Sequence, residues 1–171
     1  MPAAEHLRVA VPKPEIPRPT LPTEVNPHIT STMDGTSDPP SVQFQVLFRD
    51  GIAVTLARVK VRTPGGPVYI LRRMDTGAIS VTTMFRAAFP TASEEAAEAE
   101  NNWIKLSFAA ADQSGRPHLP GHWVTPDVAL YLAEGYHLSG IVCSLASAVL
   151  DPNLPEFKEP EVTPHALAGC H

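Results

Sequence analysis

The stretch VYILRRMDTGAISVTTMFRAAF, residues 68–89, decides how the rest of this chain is read. Val68 to Met74 is rich in β-branched and aromatic residues and reads as a strand. Asp75-Thr76-Gly77 supplies a tight turn, and after it the apolar period changes from two to about three and a half. Met84, Phe85, Ala88 and Phe89 fall on one side of a helix that Ser80 or Thr82 caps and Pro90 stops. A strand that feeds a helix through one turn predicts a mixed fold in which the helix packs back on the sheet.

Working upstream, VQFQVLF places Val42, Phe44, Val46 and Phe48 on one face and Gln43 and Gln45 on the other, the alternation of a half-buried strand. Arg49-Asp50-Gly51 is a hairpin turn, because Asp-Gly accepts positive φ at little cost. Ile52 to Val61 then returns as the second strand, and Thr63 to Pro67 turns the chain into the third. Ahead of Ser41, nine of the nineteen prolines crowd into residues 1–40. Proline lacks the N–H that helices and ladders need, so this segment is expected to be an extended, disordered arm.

Working downstream, Thr91 or Ser93 caps a second helix whose early turns hold Glu94, Glu95, Glu98 and Glu100. Acids there complement the positive end of the helix dipole, which accounts for the run without a partner. Trp103, Ile104, Leu106 and Phe108 are expected to enter the core. Ala111 to Val124 has the outline of a wing. Thr125-Pro126 opens a third helix with proline at its first position, and Ser139 caps a last helix over residues 141–150. The organisation expected is an arm over 1–40, a domain over 41–152 and a flexible tail over 153–171.

With 171 residues, 43% of them hydrophobic, one ordinary domain plus tails is accommodated. The net charge of -5 opposes coating of nucleic acid by bulk electrostatics. Charge is unevenly placed, however. Between Ser41 and Pro90 seven basic residues stand against two acids, and between Thr91 and Pro152 two basic residues stand against eight acids. Two cysteines, Cys143 and Cys170, make no disulfide framework, and no run approaches membrane-spanning length, so a soluble intracellular domain is expected.

No catalytic constellation is read. Ser80, His122 and Asp127 lack a nucleophile elbow or a phosphate-cradling loop around them. A zinc site from His118, His122, His165, His171, Cys143 and Cys170 is rejected, because Pro120 and Gly121 interrupt the one close pair. Neither a cofactor nor a metal is expected. Arg72 and Arg73 alternate across the third strand, so at most one faces a partner directly and the other closes over Asp75 or the acidic helix. Trp103 and Trp123 are read as core.

In this order and spacing, VYILRRMDTGAISVTTMFRAAF and LPGHWVTPDVALYLA (residues 119–133) resemble the fungal APSES domain and its KilA-N relatives, over roughly residues 41–152. Within that group the chain is more similar to the family of bouquet-formation telomere anchors of the fungal inner nuclear membrane. The likeness there rests on Met84 to Pro90, on the acidic helix reaching Trp103-Ile104, and on Leu119 to Pro126. The resemblance implies an α+β fold, an antiparallel sheet packed with helices plus a short wing of helix-turn-helix type. It further implies a non-enzymatic nuclear adaptor that acts in meiosis. Such an adaptor docks short motifs of telomere-binding and inner-nuclear-membrane proteins, tethers chromosome ends, and touches double-stranded DNA weakly. The membrane anchor of that family has no counterpart between Met1 and His171.

Phe44, Val46, Tyr69, Phe85 and Phe89 are the expected peptide-lining residues, by strand addition or in an apolar furrow. Lys105, Arg116, His118 and His122 are the expected DNA contacts. The wing Asp112 to His118 carries a single arginine, too few base-reading side chains for sequence-specific recognition. A DNA-binding transcription regulator of APSES type is the alternative reading.

Overall fold

The computed structural model describes residues 14–32 and 41–150. Five strands form one antiparallel sheet in the order β1 (Val42–Arg49), β2 (Ile52–Val61), β3 (Val68–Arg73), β4 (Ile79–Ser80), β5 (Trp123–Val124). Among the described residues five helices accompany it: α1 (Pro27–Thr32), α2 (Val81–Ala88), α3 (Glu94–Ser107), α4 (Pro126–Gly135) and α5 (Ser139–Ala146). The fold is α+β, as the residue pattern predicts. The third strand continues through the turn at Gly77, whose φ is +81°, into β4, and β4 runs directly into α2. Ser80 caps that helix by accepting from the Thr83 amide.

Register assigns the faces. Phe44 stands beside Ala57 and Arg72, and Val42 beside Val59 and Ile70. This face carries the main core, where Ala57, Val59 and Ile70 meet Met84, Phe85 and Phe89 of α2, Ile104 of α3, Leu132 of α4 and Val142 of α5. The opposite face, with Leu47, Leu56, Leu71 and Trp123, forms a smaller cluster closed by Leu119. A sheet with apolar residues on both faces needs cover on both. Helices supply one cover, and the loop ahead of β5 supplies the other.

Of the expected wing over residues 111–124, the end forms strand β5 and the rest is loop. Residues 109–122 contain no strand and lie down on the second face, with Pro117 and Leu119 buried. Arg73, only 1% exposed, is the tie. Its guanidinium donates to both Asp75 oxygens at 2.8 Å and to the Pro117 carbonyl at 2.9 Å, and it lies 5.9 Å from the centre of the Trp123 ring. The hydrogen bonds from Arg73 hold the Asp75 carboxyl below its usual range, against the opposing effect of burial. Arg72, on the other face, donates to Gly77, Leu145 and Ala148 carbonyls and so closes the end of α5. Both arginines are engaged inside the domain.

Three further expectations are corrected. Gln45 is buried and accepts from Arg58 at 2.9 Å, while Phe48 is 56% exposed. The Phe48 end of β1 runs past the helices that cover Phe44. Leu106 points to solvent at 72% exposure, one residue step off the buried stripe of Trp103, Ile104 and Phe108. The last helix starts at Ser139 itself, behind an N-cap at Leu138, and ends at Ala146.

The largest correction concerns the arm. Residues 14–29 pack on the domain, tied by side chains that the proline count concealed. Asn26 is buried, donating through Nδ2 to the Arg62 and Ala87 carbonyls and accepting from the His28 amide to begin α1. Ile29 joins the main core, and the Trp103 indole donates to the Ile16 carbonyl at 2.8 Å. Arg18 reaches Glu100 in the middle of α3, with Nε donating at 3.1 Å to both oxygens. The Tyr136 hydroxyl donates to the same carboxylate, and the Arg18 guanidinium stacks over the Trp103 and Tyr136 rings at 4.9 and 5.2 Å. Glu100 is 2% exposed. The earlier dipole account holds for Glu94 and Glu95 in the first turn of α3, but not for Glu100, which has partners. The expected stretches 1–13, 33–40 and 153–171 lie outside the described residues.

Burial lowers Arg18, but the hydrogen bond and charge of Glu100 outweigh it and hold the guanidinium above its ordinary value. Burial, reinforced by the Glu100 charge, pushes the Tyr136 phenol above its ordinary range. Breaking the pair from one side leaves a buried charge with too few partners. Arg18→Met should therefore lower unfolding free energy by about 3 kcal/mol in a denaturant titration, and adding Glu100→Met should restore part of it. A single-variant loss below about 0.5 kcal/mol would show the pair to be superficial. The raised phenol favours the neutral form. Its contribution is full below the ordinary tyrosine range and is lost as pH rises through the higher folded value. Alkaline ultraviolet titration should show a late-ionising phenol that vanishes in Tyr136→Phe.

Candidate functional site

Helices α2 and α3 diverge from Phe89-Pro90, and between them lies a groove of about 280 Å³. Ser93 caps α3 by accepting from the Ala96 amide, which fixes where the second wall begins. The floor is apolar. The Phe85 and Phe89 rings meet at a tilt, 5.1 Å between centres, and each lies edge-on to Tyr136, at 5.9 and 5.7 Å. Ile104 and Ala97 complete the α3 side, and Glu94 and Glu98 stand at its mouth opposite Arg86 of α2. Glu100 and Tyr136 also reach the groove, so the Arg18 clasp forms the back of its wall.

Of the five residues expected to line a peptide site, the structure brings together Phe85 and Phe89. Phe44 packs half-buried against the main core, and Val46 lies half-buried further along β1. Tyr69 is on the other face of the sheet, beneath the Arg58 guanidinium at 4.8 Å. The groove residues that sequence reasoning missed are Ala97, Ile104 and Tyr136. Tyr136 carried no signal beyond sitting at the end of a predicted helix. Ile104 was read as core, which it also is.

The four expected DNA contacts fall on the end of α3 and on the loop ahead of β5. Lys105 is exposed at the end of α3, and the half-buried His122 imidazole is lowered by burial and then by the Lys105 charge. Arg116 and His118 are exposed on the loop. The Arg116 charge bears on Asp75, and the His118 carbonyl accepts from Arg49 at 3.4 Å. Among the described residues no three His, Cys, Asp or Glu side chains gather to hold a metal ion; His165, His171 and Cys170 lie outside them. Ser80 acts as a helix cap, with its hydroxyl accepting from the Thr83 amide at 3.2 Å.

No protein-family profile matches the chain. It is 34% identical over 138 residues to Bouquet formation protein 4 of Schizosaccharomyces pombe, a match that takes in 78% of this chain and 31% of that protein. The chain thus spans about a third of the length of the curated relative it matches. The solved crystal structure of the N-terminal domain of Bqt4 in S. pombe superposes with a TM-score of 0.65 at 31% identity, over 75% of this chain and 98% of that one. A structure of a DNA complex of PCG2 is similar at a TM-score of 0.48 and 13% identity, over 68% of this chain and 96% of that one; at that level it supports no statement about this chain. On the identity, and on coverage of nearly the whole solved domain, the chain belongs to the family of the Bqt4 N-terminal domain.

Proposed function

We propose that this domain is a non-enzymatic docking module whose α2–α3 groove grips short linear motifs of telomere-binding and inner-nuclear-membrane proteins. In that role it helps to tether chromosome ends at the nuclear periphery. The observation that carries the reading is the groove itself, an apolar furrow floored by Phe85, Phe89 and Ile104 and open between two helices. Its size suits one anchoring side chain and its neighbours rather than a whole substrate, since small-molecule pockets run from about 300 to 1,000 Å³. The bouquet-formation name of the matched relative agrees with this reading.

Electrostatics support the same choice. Arg18, Arg72 and Arg73 bond within the domain, while Lys60, Arg62, Arg86, Lys105 and Arg116 are exposed. A few scattered cations make backbone contacts and do not read bases. Weak, sequence-indifferent contact with double-stranded DNA through Lys105, Arg116, His118 and His122 belongs to the proposal, as does the APSES-type likeness of residues 41–152. No described helix is long and apolar enough to cross a membrane; in this proposal the membrane is reached through another segment.

Titrating the chain with peptides from telomere-binding and inner-nuclear-membrane proteins, and with duplex DNA, at two salt concentrations tests the reading. A peptide should bind at about 1 μM or tighter with a shallow salt slope. Duplex binding should be weaker, equal for scrambled sequences and steeply salt-dependent. Arg116→Glu should weaken the duplex and leave peptide affinity within about twofold. Tight, sequence-selective duplex binding with no peptide bound would instead establish a DNA-binding regulator.

A further inference from the structure

Resting on that docking reading, we propose that the groove takes a motif built from one apolar anchor side chain with lysine or arginine next to it on the α3 side. The anchor follows from the floor. Phe85, Phe89 and Ile104 present rings and branched carbons and no polar atom, and a volume of about 280 Å³ admits little more than one large side chain.

The basic neighbour follows from the mouth. Glu94 and Glu98 are one helical turn apart on α3, both line the groove and both are exposed. Among the described residues no hydrogen bond or ion pair holds either one. Glu100, which also lines the groove, differs. Arg18 and Tyr136 already occupy its oxygens, so it contributes no open acceptor. Across the furrow Arg86 is the single cation at the mouth. It disfavours a second positive charge on the α2 side, which gives the bound motif a polarity. Its cation lies toward α3, and the α2 side takes a neutral or acidic residue. Complementary charge around an apolar anchor selects partners more than it adds affinity.

The test selects peptides from a random library displayed on phage against the full chain and measures the enriched peptides by fluorescence anisotropy. Enriched sequences should share an aromatic or large aliphatic residue with lysine or arginine nearby. Their affinity should fall about tenfold on Glu94→Lys/Glu98→Lys, two exposed changes, with Glu98→Lys alone as the control for the loss of the Glu94 charge at the helix start. Ala97→Trp, which fills the furrow, should abolish binding; Ala92→Phe replaces it if the tryptophan lowers the melting temperature. Acidic or charge-indifferent peptides that the filling variant still blocks would overturn the inference and leave the docking reading in place. Peptides indifferent to the filling variant, or no enrichment at all, would remove the groove as the docking site and this inference with it.

Discussion

The carboxylate of Glu100 sits on the inner side of α3, one turn before Ile104, and the residue is 2% exposed. A charge in such a place costs several kcal/mol unless it is paired and hydrogen-bonded. Its two partners come from distant parts of the chain, Arg18 from the N-terminal segment and Tyr136 from just beyond α4. Satisfying one acid therefore ties three segments together. The same Tyr136 ring lies under Phe85 and Phe89, so the clasp also sets the floor on which the groove rests. Residues 14–29 are part of the domain's architecture rather than a tether to it.

Elsewhere two arginines of β3 turn inward. Arg73 holds the loop ahead of β5 to the sheet, and Arg72 closes α5. Each donates to main-chain carbonyl oxygens in loops and at a helix end, a task suited to the guanidinium fork. Two of the seven basic residues between Ser41 and Pro90 are thus internal braces, while Lys60, Arg62 and Arg86 stay exposed. The surface carries an apolar furrow with acids at its lip and several exposed bases. Those features favour holding a peptide over following a phosphate backbone.

Much of this was legible in the residue pattern. Strong periodicity located β1, β2, β3 and α2 within a residue or so, and proline with serine or threonine marked the starts of α3 and α4. Other features were not legible, for physical reasons. Strands β4 and β5 have two residues each and exist because Ile79 finds Val124 across a gap of 45 positions, a pairing with no local signature. The packing of residues 14–29 depends on Asn26 and Arg18 meeting groups far along the chain, whereas proline content reports only on local hydrogen bonding. Glu100 looked like its acidic neighbours because charge type does not reveal which turn of a helix faces inward. For the candidate site, Phe85 and Phe89 were named from their spacing, while Phe44, Val46 and Tyr69 were grouped with them without knowledge of which sheet face the helices would cover.

The central claim is that the furrow between α2 and α3, and not the loop and its cations, is the working surface. Amide chemical-shift mapping of the labelled chain with a bound telomere-protein peptide addresses it most directly. The account predicts shifts concentrated over residues 81–104, together with Tyr136. Shifts centred on Lys105, Arg116, His118 and His122, with α2 silent, would contradict it.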